Sequence, residues 1–584
     1  MKLHPSIRSA LLGLWLSPFA FAATYYVSPT GSDSNPGSQT QPWATAQKAA
    51  QVVVAGDTAI FENGTYNETS NTKFTNSGAS SAPIVFKARN KHLAVIKYIN
   101  RLNQEKMIIT GGREYITIQD FEITQDGDAS TGDTSDYMVQ IEAHHTSIVG
   151  NKIHNAFEDG IKVSGNGPGG TGNILIEGNV VYDVEHEGID AVRMWSSSVR
   201  FNEVYQVNRV GIMLKGGIRS VLVHGNHVHT PMSSGGQGIT LGGSTDAEWA
   251  YDPYGWEAYN CYGWSNIVEG PWNGAISLRG ARDSAFFNNV IVGANQALMT
   301  QKGGKTSGTI GTNRWYWTAT GPIPNGANPA NYTITGTPLN QNVWFKNNII
   351  VAGGNASAYA TKFASDSLLT SSSTLTINYN LYYGYVTSGT GQSLVASGAI
   401  DKGLEANGTY SSDPAFVSNY TNLHLQATSP AIDTGTAISG ILGFYGEAIN
   451  VTADADNVSR TGTWDKGAYN YGAAAPPGTL TDDFSDGNAT GWTPDGGTWS
   501  VVSGAYAQTD VNATANRSVL AGTNWGDQMI EADALYLHLN AMQEVAQQNG
   551  DTHWHGVLRG IEKVCAQFAS KKSCLLYTSD AADE

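Results

Sequence analysis

Asparagine recurs ahead of an aliphatic residue at Asn151, Asn179, Asn202, Asn226, Asn266, Asn289 and Asn348. A second series interleaves with it: DGIKV from Asp159, EGIDAV from Glu187, VGIMLK from Val210, QGITLG from Gln237 and NGAISL from Asn273. Successive copies mostly fall about 22–28 residues apart, the signature of a stacked repeat. Each unit is a short alternating strand bounded by Gly or Asn. Such units suit an all-β, right-handed parallel β-helix with one coil per repeat.

Composition agrees with this reading. Charged residues are only 14% and glycines number 67, a turn-rich β composition and not a helical one. The formal charge of −17 argues against a nucleic-acid binder, which would show a basic face. It leaves room for an acidic sugar polymer, because a local basic cleft overrides the global sign.

Met1–Ala22 reads as a secretory signal: Lys2 and Arg8, an apolar run from Ala10 to Leu16, and Ala20-Phe21-Ala22 as cleavage site. No other segment is apolar for long enough to span a bilayer. A secreted protein, extracellular or periplasmic, monomeric and without a membrane partner, is expected. Of the cysteines Cys261, Cys565 and Cys574, only Cys261 lies among the repeats, so no disulfide framework is expected there.

The domain reading is a β-helix over 23–472, a linker over 473–481, a truncated β-sandwich module over 482–534 and a non-native tail over 535–584. A cap with a helix around Ala44–Val54 should cover the first coil, whose apolar end would otherwise meet water. Weak strands are expected to continue to Tyr471. Two aromatic-rich insertions, Thr245–Trp264 and Gly303–Asn340, either stack on sugar rings or pack the loops against the helix flank.

Aligning Gly160, Gly188, Gly211, Gly238 and Gly274 sorts the strands into two faces. The residues one and three after each glycine are mostly apolar and should face the core. The outward set then includes Asp159, Lys162, Glu187, Asp190 and Lys215 on coils about 4.8 Å apart. Arg193 and Arg279 fall at strand ends. The bland alternative is a salt-bridged solvent ladder such as Lys162 with Asp190. His224, His227 and His229 lie on a different strand, and three convergent ligands are not expected there. His186 borders the acidic cluster and is the best histidine for substrate contact. The chain has no GxSxG elbow, phosphate loop or HExxH.

The opening segment from Thr24 resembles the N-terminal cap of secreted β-helix polysaccharide lyases, and Asp482–Asp510 resembles the start of a concanavalin-like carbohydrate-binding module. The last residues, Cys574–Glu584, resemble a translated sequencing adaptor. Glu185–Asn226 is similar in layout to the chondroitinase B and alginate lyase family. That family pairs an E-x-E calcium site with a catalytic lysine and an arginine one coil on. The resemblance implies a Ca²⁺ site at Glu185, Glu187, Asp159 and Asp190, with Lys215 and Arg193 catalytic. Relative to the family, the two basic types are exchanged.

The chemistry is coherent. The C5 proton of a uronate is very weakly acidic, and neutralising the adjacent carboxylate stabilises the charge that develops on its removal. A lysine whose pKa is lowered by neighbouring cations would serve as base. The expected function is therefore a polysaccharide lyase on an acidic polysaccharide, with Lys215 as base, Arg193 as neutraliser or proton donor, and Arg279, Lys162 and His186 binding substrate. The alternatives are a glycoside hydrolase using two of Asp159, Glu187 and Asp190, an epimerase, or a non-catalytic binding protein.

Overall fold

The structure, a computed structural model, describes residues 22–99, 106–109, 112–126, 137–165, 170–243, 245, 256–301, 317–318, 321–322, 340–353, 359–363, 375–384, 393–395, 405–418 and 422–472, with short strands beyond residue 491. The signal segment up to residue 21, the linker, half of the first aromatic insertion and most of the second lie outside the described residues. The chain divides into two compact units, Met1–Pro476 and Pro477–Glu584. In the second, Trp492–Asp495 pairs antiparallel with Arg517–Leu520, and Trp499–Val502 with Ala505–Gln508.

The first unit is a parallel β-helix of three sheets. One coil runs through Leu175–Glu177, Val180–Val184 and Glu187–Val192, and Met194–Arg200 opens the next. The first sheet extends from Thr24–Val27 to Leu375–Asn378, the second from Gly64–Glu68 to Thr409–Tyr410, and the third from Thr72–Lys73 to Ser393–Val395.

Period-two alternation builds the core. In the third sheet Ile161, Ile189, Ile212, Ile239 and Ile276 stack in register, as do Val163, Ala191, Leu214, Leu241 and Leu278. All are fully buried. Burying each Ile, Val or Leu contributes about 1.5–3 kcal/mol. This pairing corrects the alignment at one coil. Gly238 matches Ala275, not Gly274, because Ile239 pairs with Ile276. Ser277 is therefore in the outward row and Arg279 shares the row of Gly242.

The recurrent asparagines form an internal ladder at the bend between the first and second sheets. The backbone N–H and side-chain amide of Asn202 both donate to Asn226 Oδ1, at 3.0 Å each. Asn226 does the same to Asn266, and Asn266 to Asn289. The residue before each of these is left-handed, as Gly225 is at φ 64°. Glycine takes that conformation without strain, which explains the GN dipeptides. The ladder continues through Asn348 to Asn380.

A helix at Ala46–Val52, N-capped by Thr45, closes one end, with Ala46, Ala49 and Ala50 buried against the first coil. The other expectation for this unit is corrected. The sheets stop at Thr409–Tyr410, and after the antiparallel pair Phe416–Ser418 and Asn422–Leu425 no further strand is described up to Tyr471. This last segment packs along the first sheet, where Ile438, Ile441, Val451 and Trp464 bury Tyr262, Trp264 and Phe287. Trp264 Nε1 donates to the Ala453 carbonyl and the Tyr262 hydroxyl to that of Leu442. These insertion aromatics therefore pack the flank of the helix and do not line a sugar site.

Candidate active site

The third sheet carries the charged constellation on its outer face. Its outward row reads Gln140, Lys162, Asp190, Met213, Thr240, Ser277. The next row, two residues on, brings Val192, Lys215, Gly242 and Arg279 into line. A Cβ on Gly242 would meet the Arg279 carbonyl oxygen at 1.8 Å, so the floor between Lys215 and Arg279 stays bare.

Asp190 is the centre. Its Oδ2 pairs with Lys162 and lies 3.4 Å from Lys215 Nζ. Lys162 also reaches Asp159 Oδ2 at 3.0 Å and lies over the Tyr137 ring, 5.1 Å from its centroid. Burial alone would raise the Asp190 pKa, but the two ammonium groups outweigh it and hold the carboxyl below its usual range. The converse holds for both lysines: burial lowers them, while Asp190 outweighs it and raises both. The lowered lysine pKa expected from the sequence is thus overturned. The Asp190 carboxylate, 3.4 Å from Lys215 Nζ, opposes the lowering expected from neighbouring cations.

Glu187 behaves oppositely. Burial, then the charges of Asp159 and Asp190, push its carboxyl up to about 9. It is protonated at neutral pH while Asp190 is ionised.

The structure brings Asp159, His186 and Glu187 together, with ligand atoms within 4.8 Å of one another. Glu185 stays out of that group, in the turn before Glu187–Val192, and accepts from Asn208 at 3.5 Å. Arg193 is also removed from the row. It takes a left-handed bend at φ 59°, and its buried guanidinium donates to the Gly165 carbonyl. Arg279, not Arg193, shares the row of Lys215.

Calcium needs six to eight oxygen ligands, roughly. Here Asp190 is taken up by two ammonium groups, Lys162 already bridges Asp159 and Asp190, and the third member beside Asp159 and Glu187 is an imidazole. Asp190 Oδ1 is buried without a hydrogen-bond partner among the described residues. Two carboxyls and an imidazole, with an ammonium group among them, fall far short of a cage of oxygens. The residues present do not fit Ca²⁺, because Lys162 supplies the positive charge in its place.

Two residues escaped sequence reasoning. Tyr137, whose burial pushes its hydroxyl up to about 12, lies before the first recognised repeat. Glu257, in the aromatic insertion, is fully buried and accepts from Gly216 N at 2.8 Å and Thr245 N at 2.9 Å. It braces the turn behind Lys215, and while burial lowers the Arg279 pKa, the Glu257 charge partly opposes that lowering. No sequence periodicity marks either.

A family model described as the Pel9A-like right-handed β-helix region matches residues 25–190. Pectate lyase PEL9 of Emericella nidulans is 41% identical over 81 residues, 14% of this chain and 20% of that protein. The uncharacterised protein YwoF of Bacillus subtilis is 30% identical over 139 residues, 22% of this chain and 28% of that protein. The chain thus spans less than a third of the length of either relative. A separate match of 35 residues, 63% identical, is to isopentenyl-diphosphate delta-isomerase of Vibrio campbellii, 10% of that protein. Among solved structures, pectate lyase Pel9A aligns with a TM-score of 0.43 at 15% identity, covering 77% of this chain and 97% of that one. XylC in complex with xylose aligns at 0.47 and 14%, covering 77% and 98%. Those identities and scores transfer no site. No helix among the described residues is long and apolar enough to cross a membrane. From its coils, the first unit is a right-handed parallel β-helix, and its residues 25–190 match the Pel9A-like β-helix region.

Proposed function

We propose that the protein is a secreted enzyme that cleaves an acidic, uronate-containing polysaccharide by β-elimination on the outer face of the third sheet. The observation that carries this reading is the convergence of Lys162 and Lys215 on Asp190, with Arg279 in the Lys215 row. The match to a Pel9A-like region and to a protein named pectate lyase supports it.

Arg279 pairs with the uronate carboxylate, beside the bare floor at Gly242. Lys215, once neutral, takes the C5 proton. The electron pair forms the C4–C5 double bond as the C4–O bond breaks, and the leaving oxygen takes a proton from water. Lys162 and Asp190 keep the surrounding charge balanced and hold Lys215 in place. Because Asp190 raises the Lys215 pKa, the neutral form grows with pH and the rate rises into the alkaline range.

A hydrolase is the second reading, favoured by one observation. Glu187 is protonated beside the ionised Asp190, and two carboxyls pushed apart in pKa make an acid and base pair. One experiment separates the two. Full-length protein is incubated with pectate, alginate, chondroitin and ulvan, following both the ultraviolet absorbance of the unsaturated product and new reducing ends. Elimination gives both signals. Reducing ends without absorbance overturn the lyase reading and favour hydrolysis.

A further inference from the structure

The outer face of the second sheet carries a separate cluster with no part in that chemistry. Glu203 stands opposite His227 in the neighbouring coil, and Tyr205 opposite His229. On the next coil Ile267 is opposite His227 and Val268 opposite Val228, which places Glu269 level with His229. Val228 is buried in the core, so both histidines project outward, side by side. The expected placement of all three histidines on one strand is corrected: His224 belongs to the first sheet and is buried, stacked on Trp264, so the three do not converge. Two of them instead meet carboxylates.

His229 Nε2 lies 3.2 Å from Glu203 Oε1, and His227 Nε2 2.5 Å from Glu269 Oε2. The imidazole centroids of His227 and His229 are 4.4 Å apart. Ligand atoms from Glu203, His227 and His229 all fall within 4.8 Å of one another. We propose that Glu203, His227, His229 and Glu269 bind one divalent transition-metal ion of the zinc class, clasping three successive coils.

The donor set selects the metal. Two imidazoles with carboxylates suit zinc and its late first-row neighbours, and not calcium or magnesium, which want oxygen alone. Zinc legs of about 2.0–2.1 Å set tetrahedral ligand atoms roughly 3.3–3.5 Å apart. The Glu203–His229 separation already matches. The remaining separations, all within 4.8 Å, need closing by at most about 1.5 Å, which the side chains of Glu203 and His227, 45% and 38% exposed, have room to make.

The site is also braced. His229 Nδ1 lies 3.0 Å from the Thr230 hydroxyl, the kind of outer contact that orients a metal-binding ring. The same ring stacks on Tyr205, and Tyr205 on Tyr182, at 4.9 Å each.

The test uses full-length protein stripped by chelator and dialysed, then titrated with zinc sulfate by calorimetry and with cobalt chloride by visible absorption. Expected are one equivalent of zinc bound at micromolar affinity or tighter, a zinc-dependent rise in Tm, and the cobalt absorption of a four-coordinate site. His227→Ala and His229→Ala should each weaken zinc binding by about 10-fold or more. Circular dichroism of these variants without metal checks that they fold. No zinc-dependent rise in Tm, or unchanged affinity in the double variant, overturns the proposal and leaves a pair of His–Glu contacts. Polysaccharide cleavage is measured on the same variants and should not change, so this test stands apart from the reading of the third sheet.

Discussion

Lys215 Nζ lies 3.4 Å from Asp190 Oδ2, on the next coil and one outward row away. That proximity sets the charge state of the lysine. It turns the expected low-pKa base into one that Asp190 holds protonated in the resting site. The pH dependence of the reaction follows from it.

Asp190→Asn removes the negative charge that raises Lys215. The lysine pKa falls, so the alkaline rise of the pH–rate profile should move to lower pH by about one unit or more. An unmoved profile would mean that Lys215 is not the titrating base.

Lys215→Met should reduce elimination by about 10²–10⁴-fold, the usual contribution of a positioned acid or base. Arg193→Met should leave kcat within a few-fold, since its guanidinium is spent on the Gly165 carbonyl. Arg279→Lys should act mainly on KM, because lysine cannot grip a carboxylate with a two-pronged fork. Steady-state kinetics on the three variants separates these roles.

Glu187 makes stability pH-dependent. Its folded pKa of about 9 is above its ordinary value of 4.5, so the folded state holds a proton that the unfolded chain has lost. The associated stability is fully present below the unfolded value and is lost as pH rises through the folded one. Tm should therefore fall between about pH 4.5 and 9, and Glu187→Gln should flatten that decline. An equal slope in both proteins would remove Glu187 as its source.

Lys162 stands where a divalent cation would neutralise Asp159 and Asp190. Elimination should proceed at the same rate in excess EGTA and should not rise with added calcium. A strict calcium requirement would contradict the assignment of Lys162 as the internal counter-ion.

Asn226→Ala breaks the internal ladder. It leaves the buried Asn202 N–H and amide without their acceptor and removes the bond to the Val199 carbonyl. Each buried unsatisfied group costs about 1–3 kcal/mol, so a total loss near 3 kcal/mol or more is expected in urea unfolding.

The repeats were legible because each is a local pattern with a physical cause. A strand with alternating apolar side chains must bury one face, and an asparagine beside a left-handed bend must find buried partners. The sequence alone therefore determined the stacked coils, the outward set Asp159, Lys162, Glu187, Asp190 and Lys215, and the ladder asparagines from Asn151 to Asn348. Asn380, ahead of Leu381, fits the same pattern and continues that ladder. Only the tertiary structure decided which outward residues meet. Register depends on the length of every intervening turn, so one residue gained before Ala275 moved Arg279 into the row of Lys215. A bend at Arg193 turned a predicted catalytic cation into a brace. Charge states were decided there too, because a pKa answers to neighbours a few ångströms away in space, and Asp190, Lys162 and Lys215 come from three different coils.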